Sequence, residues 1–495
     1  MPSGDFTLGE DAEGEIMGEA RAAEQGIIAG GGAGSAQALT QRPVGTLGQI
    51  AWAVCDGSRS PYNVLVNIFV FAAYFTTVVI PDPVRGQTVW SYISAAGALL
   101  VAFGAPVLGA IADAGGRRKP WLLGCIVLGA PSMSLLWYAT PGMQSGFLWI
   151  ALAVIGGMLY FEYSQVFCNA MLPNIASGNR IGFLSGLGFS LANFFGIFVF
   201  IFYLIAWDRN PHPLFGLNVQ AHEPERAVGM LAACVLVVLS IPLFVFTPDS
   251  PGTSRGAREA MREGLSSLAR TLSRVTEYEN VVKFLVARLL YNEGFVVMML
   301  FTSVVAAGVL HWTPRMLIAM GLINSVVATL AALFAGWLDQ RVGSKIASML
   351  FVAGCLIANA IVCSITPDQI FFVTLPAAAP ASGLFPTLPD KVFLVTQNFI
   401  AFAVTGGLVT SRTLMAKLAP RHMLNEFFGL YALSGNATSF LGPLAIGIVT
   451  ALFASQRAGV AVGTCFFLAG LLLMTRVKDP GRADPGGSAP TLLED

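Results

Sequence analysis

The chain has 495 residues and no net charge; 55% of it is hydrophobic and only 11% is Asp, Glu, Lys or Arg. Soluble domains carry about 25% charged residues, and the mean hydropathy here is +0.69. This excludes a soluble enzyme, a nucleic-acid binder (which would need a basic excess) and a disordered scaffold, and it identifies an integral membrane protein.

Residues 1–47 hold Asp5, Glu10, Asp11, Glu13, Glu15, Glu19 and Glu24 against Arg21 and Arg42, with a glycine run at Gly30–Gly32. A secretory signal needs a basic start and a short apolar run. Neither is seen, and a disordered acidic cytoplasmic tail is expected. Beyond it, stretches long enough to cross about 30 Å of hydrocarbon recur at 50–80, 88–112, 120–140, 145–172, 182–207, 227–247, 281–308, 315–338, 346–366, 391–418, 426–452 and 459–476. The runs are continuous rather than alternating, so they read as helices and not as barrel strands. Pro376, Pro380, Pro386 and Pro389 mark a loop or short re-entrant piece between the ninth and tenth.

The expected fold is therefore an all-α membrane protein with twelve transmembrane helices in two six-helix pseudo-repeats. Its parts are the tail 1–47, a first half 48–247, a linker 248–280, a second half 281–476 and a tail 477–495. With the N-terminus inside, about 18 Lys and Arg fall on the inner side and about six outside. The positive-inside rule then places both termini in the cytoplasm. In the linker, Met261, Leu265, Leu268, Leu272 and Val275 recur at helical spacing among Arg258, Arg262, Arg270 and Arg274. This predicts a basic amphipathic helix on the inner leaflet. The seven cysteines lie in apolar stretches without CxxC spacing and read as small core residues.

The two halves repeat a junction. After span two the chain reads Gly109-Ala-Ile-Ala-Asp113-Ala-Gly-Gly116-Arg117-Arg118-Lys119, and after span eight Gly336-Trp-Leu-Asp339-Gln340-Arg341-Val-Gly343-Ser-Lys345. Paired six-helix halves are a common build for secondary transporters. The first junction resembles the signature loop of the major facilitator superfamily. Longer stretches are similar to its autophagy-related vacuole-effluxer branch and bacterial relatives: Cys55-Asp56-Gly-Ser-Arg59-Ser-Pro61-Tyr62, Phe167-Cys-Asn169-Ala-Met-Leu-Pro173, Ala287-Arg288-Leu-Leu-Tyr291-Asn292-Glu293-Gly294, and Asn425-Glu426 through Gly442-Pro443. The chain departs from that pattern at Gly57-Ser58-Arg59 and at Asn436. The resemblance implies a cytoplasmic gate at Asp113, Gly116, Arg117 and Arg118, and a central cavity lined by spans one, four, seven and ten.

Polar stripes fall on those spans. Asp56, Arg59, Ser60, Asn63 and Asn67 share one face of span one; Glu162, Gln165 and Asn169 share one of span four. Span seven carries Arg288, Asn292 and Glu293, and span ten Gln397, Thr405 and Arg412. Intramembrane charges are costly and mark function or structural pairing. Three acids and three bases suit a zwitterion such as an amino acid, an Arg clamping the carboxylate and an acid the ammonium. Glu162 has no base within four residues and is the first candidate for a proton carrier; Asp56 and Arg59, at i and i+3, have the alternative of neutralising each other.

The partners expected are the lipid bilayer, a small solute and a proton, with no nucleic acid; a monomer is expected. No GxxxxGK[ST], HExxH or GxSxG occurs, so no cofactor and no catalysis are expected. The resulting expectation is secondary or facilitative transport of small polar metabolites by alternating access, with amino-acid-like efflux across a cell membrane favoured. A non-transporting sensor of the same fold is the alternative.

Overall fold

The computed structural model describes residues 44–479 except 116, 144–145, 177–178, 209, 250–277, 377–381, 420–426, 428–429, 432–433 and 436. The expected acidic tail and the expected amphipathic linker helix both lie outside the described residues.

Twelve helical segments follow one another. They are α1 (Thr46–Val79), α2 (Pro83–Gly115), α3 (Lys119–Leu135), α4 (Phe147–Ile175), α5 (Asn179–Tyr203), α6 (Glu223–Phe246), α7 (Glu279–Val309), α8 (Pro314–Val342), α9 (Ser344–Ser364), α10 (Leu388–Leu418), α11 (Leu441–Phe453) and α12 (Gln456–Thr475). Among the described residues eleven are long and apolar enough to cross a membrane; α11, at 13 residues, is shorter, starting after a turn at 437–440 where span eleven is expected to run on from 426. Proline opens several helices at the first turn, where its missing N–H costs nothing: Pro120 in α3, Pro224 in α6, Pro314 in α8 and Pro389 in α10. Thr387 and Asp390 close a capping box on α10, and Trp312 Nε1 donates to the same Asp390 at 2.7 Å. The Pro-rich connection before α10 is preceded by a small hairpin, β1 (Gln369–Ile370) against β2 (Val373–Thr374). Its turn residues Phe371 and Phe372 sit at positive φ. Large apolar side chains such as Trp149 and Leu452 project outward, as a lipid-facing surface requires.

The first helix is not uniform. It is α-helical over Thr46–Gly57, breaks at Ser58 and Arg59, and then runs through wide i→i+5 turns over Tyr62–Phe69 and Phe75–Val79. Pro61 explains the break: it has no N–H to donate and its ring crowds the carbonyl four residues back. Side chains bond nearby carbonyls at the break. Ser58 Oγ donates to Cys55 O at 2.7 Å, and Arg59 Nε to Asp56 O at 3.1 Å. Small residues let α5 close on this segment: a Cβ on Gly188 would come within 2.8 Å of Asp56 Oδ2.

The first six helices pack mainly among themselves, α3 on α4 and α6, α1 on α5 and α6; so do the last six, α7 on α12, α10 on α8 and α9. The two sets meet chiefly through α2 on α11, through α1 on α7 and α8, and more lightly through α5 on α8. These crossings concentrate at one face, the one carrying the α1–α2 and α7–α8 turns. Gln87, fully buried, donates to Thr450 Oγ1 at 2.8 Å and to Gln456 O at 3.0 Å, and Gln456 Nε2 donates to Pro83 O at 3.0 Å. Arg315 pairs with Asp208 at 2.6 Å. Ser303 Oγ donates to Ile68 O, and Phe200 packs edge-on to Phe69 beside Gly321.

At the opposite, basic face several polar contacts among the described residues join neighbours of the same set. Asp249 accepts from the Arg118 N–H at 2.9 Å, and Lys119 Nζ donates to Phe244 O at 3.0 Å. Lys417 bridges Asp339 at 3.2 Å and Ser344 at 2.7 Å. The polar contacts named between the halves thus gather, as a fastening, at one face. Gln87→Leu removes two buried hydrogen bonds of that fastening, a change of about 1–3 kcal/mol. It should move the balance between the two faces' accessibility by roughly tenfold or more. Labelling of a cysteine placed at Ser94 by an impermeant thiol reagent, applied from the fastened face, measures the shift; unchanged labelling would deny Gln87 this role.

Candidate functional site: two chambers between the helix sets

Among the described residues, a cavity of about 540 Å³ opens at the fastened face beside Asp208 and Arg315, and two chambers lie deeper where the sets meet. The first, about 340 Å³, is lined by Asn63 and Asn67 from α1, Ser94 and Ala98 from α2, Met158, Phe161 and Glu162 from α4, Asn292 and Met299 from α7, and Gly435, Ser439 and Pro443 on the approach to and start of α11. The second, about 210 Å³, is lined by Val64 and Phe69 from α1, Asn193 and Phe200 from α5, Met298 and Thr302 from α7, Asn324 and Ser325 from α8, and Gln397, Val404 and Thr405 from α10. Ile68 and Met299 line both, so the α1–α7 contact is the partition between them. Such volumes suit a small solute.

The expected site residues separate into two groups. Asn63, Glu162 and Asn292 line the first chamber. Asn292 Nδ2 donates to Gly435 O at 3.0 Å, and Asn63 and Asn67 approach each other at 3.5 Å. Glu162 is half-buried and has no hydrogen bond or ion pair among the described residues. Gln165 and Asn169 continue its face toward the basic end, where both are exposed and line neither chamber.

The remaining charges are engaged elsewhere. Arg59, 7% exposed, forms an ion pair with Asp56 on its own helix. Arg288 donates from Nη1 to Tyr431 O and to Ser434 Oγ, each at 2.7 Å, and lies 3.6 Å over the Tyr431 ring. Glu293 is fully buried and accepts from Thr438 Oγ1 at 2.8 Å and from the Gly442 N–H at 2.9 Å. It pairs with neither Arg288 nor another arginine; it holds the start of α11. Arg412 is exposed and lines neither chamber. Of the gate residues, Gly116 and the Asp113 side chain lie outside the described residues, Arg117 is exposed, and Arg118 meets Asp249 through its main chain.

The second chamber does not emerge from the sequence as a unit. Gln397 is 2% exposed; its Oε1 accepts from Thr302 Oγ1 at 3.0 Å, while its Nε2 has no partner among the described residues. Asn324 Oδ1 is likewise buried and unpartnered there. Both residues line the second chamber, where a polar group on a guest would satisfy them. Asn324 is invisible in the sequence because it and Ser325 are uncharged and form no polar stripe along an otherwise apolar span. Gln397 and Thr405 do share an expected face.

The sequence profile of the family described as "Vacuole effluxer Atg22 like" matches residues 77–182 and 179–483. The MFS-type transporter YxiO of Bacillus subtilis is 22% identical over 437 residues, covering 88% of this chain and 95% of that one. Autophagy-related protein 22-1 of Aspergillus fumigatus is 26% identical over 273 residues, 52% of this chain and 43% of that one. Among solved structures, a D-xylose-proton symporter superposes with a TM-score of 0.59 at 14% identity, covering 88% of this chain and 98% of that one. The nucleoside transporter NupG does so with a TM-score of 0.58 at 12% identity, again covering 88% and 98%. These likenesses carry the fold.

Proposed function

This chain belongs to the vacuole effluxer Atg22 like family, a membrane transporter of the major facilitator type, and from that premise we propose that it moves small polar metabolites bearing an amino group by alternating access through the two chambers. The observation that carries the reading is the pairing of a cavity between two helix sets with polar contacts between the sets that, among those described, gather at one face. A site reachable from one side, whose closure rests on a few separable contacts, is what alternating access needs. With the basic face in the cytoplasm, as the positive-inside rule places it, the chambers load from inside. That supports efflux, the amino-acid-like direction favoured by the sequence.

Glu162 is the anion of the first chamber. A carboxylate there holds an ammonium or a proton, and one group that exchanges the two couples solute to a proton gradient. Asn63, Asn292 and Ser439 provide neutral acceptors and donors around it. The test is counterflow in proteoliposomes loaded with a broad panel of amines and amino acids. Glu162→Gln should slow the transported solute roughly 10- to 100-fold, the worth of one charge-assisted hydrogen bond, with the protein still folded. Unaltered counterflow by Glu162→Gln would reject Glu162. A panel that wild-type protein leaves wholly unmoved would reject transport in favour of a sensing role.

A further inference from the structure

Resting on the transport reading above, we infer that the preferred solute is an amphipathic monoamine: one ammonium, no carboxylate, and a flat or branched apolar body ending in a hydrogen-bonding group. The inference comes from which charges reach the chambers and which do not.

Among the described residues, Glu162 is the single ionisable one lining either chamber. A zwitterion would need a cation facing it. The three intramembrane arginines that offer one are committed or displaced. Arg59 is bound to Asp56 and to the Asp56 carbonyl, so the field it sends toward Glu162 comes from a neutralised pair. Arg288 is spent on Tyr431 O, Ser434 Oγ and the face of the Tyr431 ring. Arg412 lines neither chamber. A carboxylate entering the site would lose its hydration and meet a second carboxylate, Glu162, with like sign. A lone ammonium meets the opposite sign together with the side-chain oxygens of Asn63 and Ser439.

The second chamber describes the other end of the solute. Phe69, Phe200, Met298, Met299 and Val404 make it apolar, and no charged side chain lines it. Within that apolar wall the buried Gln397 amide meets Thr302 Oγ1 at 3.0 Å, while the single Thr302 hydroxyl proton is also shared with Met298 O. One end of the amide is engaged in this way, and the other selects a hydrogen-bonding group on the guest's far end. Ile68 and Met299 form the wall that the chambers share; a guest with its ammonium in the first puts its body into the second once that wall gives way. Met299 is an unbranched, adaptable side chain suited to such a threshold.

Tyramine, tyrosine and 4-hydroxyphenylacetate share ring and hydroxyl and differ only in charge, and so isolate the claim. The measurements are ligand-dependent thermal stabilisation of the purified full chain and counterflow in proteoliposomes. Tyramine should bind at least about tenfold more tightly than tyrosine, and 4-hydroxyphenylacetate should not bind. Glu162→Gln should abolish tyramine binding. Gln397→Leu should weaken tyramine roughly three- to tenfold and leave phenethylamine, which lacks the hydroxyl, unchanged. Tyrosine binding as well as or better than tyramine overturns the inference, as does tyramine binding that survives Glu162→Gln. The two readings fail separately. Tyramine that binds through Glu162 but shows no counterflow defeats transport and spares the site. Counterflow of an amino acid with no tyramine binding defeats the amine class and spares transport. Folded protein that neither binds nor moves any of the panel defeats both.

Discussion

Asp56→Ala should lower the stability of the folded protein by roughly 3–5 kcal/mol, the usual cost of leaving one partner of a buried ion pair without the other. Arg59 is 7% exposed, and its guanidinium meets the Asp56 carboxylate one turn away on the same helix. Replacing the acid strands a cation that cannot be deprotonated in a protein interior. The double variant Asp56→Ala with Arg59→Leu should regain most of the loss, because an apolar pair removes the stranded charge. A residual cost of about 1 kcal/mol should persist, since Arg59 Nε also bonds the Asp56 carbonyl at the break in α1. Thermal unfolding of the detergent-solubilised variants, followed by intrinsic fluorescence, distinguishes the two. If the double variant is no more stable than the single one, the pair is not structural, and a direct part in solute handling returns to Asp56.

Glu293 should show a different pattern. Its carboxylate is fully buried and receives two donors, Thr438 Oγ1 and the Gly442 N–H. Glu293→Leu leaves both donors without an acceptor in an apolar setting, at a cost of roughly 2–5 kcal/mol for the two together. Glu293→Gln keeps one carbonyl oxygen for the amide N–H, and the threonine hydroxyl can rotate to accept from the new NH2 group. It should therefore cost only about 1 kcal/mol. The same unfolding measurement reads both. Transport per folded molecule should stay close to wild type in Glu293→Gln, because the side chain lines neither chamber. A loss of transport in that variant with stability intact would place Glu293 in the coupling machinery after all.

The architecture is legible in the sequence because it is written in long-range composition. Runs of about 20 apolar residues, a basic bias on alternate loops and a repeated Gly-Asp-Arg turn depend on no single contact. The site is legible only in part, and the reason differs from residue to residue. Asn63, Glu162 and Asn292 stand out because a polar residue in a membrane helix must face something other than lipid. That same rule gathers Asp56, Arg59, Arg288 and Glu293 into the site. It cannot separate a group facing a cavity from one facing a neighbouring helix, and Arg288 and Glu293 face the segment leading into α11. Gln397 reads as one polar residue among many until Thr302, 95 residues away, is seen to occupy its oxygen. The wide turns of α1 also escape, since the stripe from Asp56 to Asn67 assumes about 3.6 residues per turn throughout. Past Pro61 the true count is larger, which is why Asp56 and Arg59 do not line the chamber that Asn63 and Asn67 enter.

Those wide turns also give the first helix a ratchet. A π-helical turn holds about one residue more than an α turn. Each residue transferred from the wide register to the tight one swings everything beyond it by about 100° around the axis. Tightening Tyr62–Phe69 would carry Asn67 and Ile68, the latter being the partition between the chambers and the carbonyl that Ser303 grips, away from α7 in a single step. The wall dividing the two chambers is thus held in place by the winding of one helix. A shift in winding would merge or separate the chambers without any rigid body having moved.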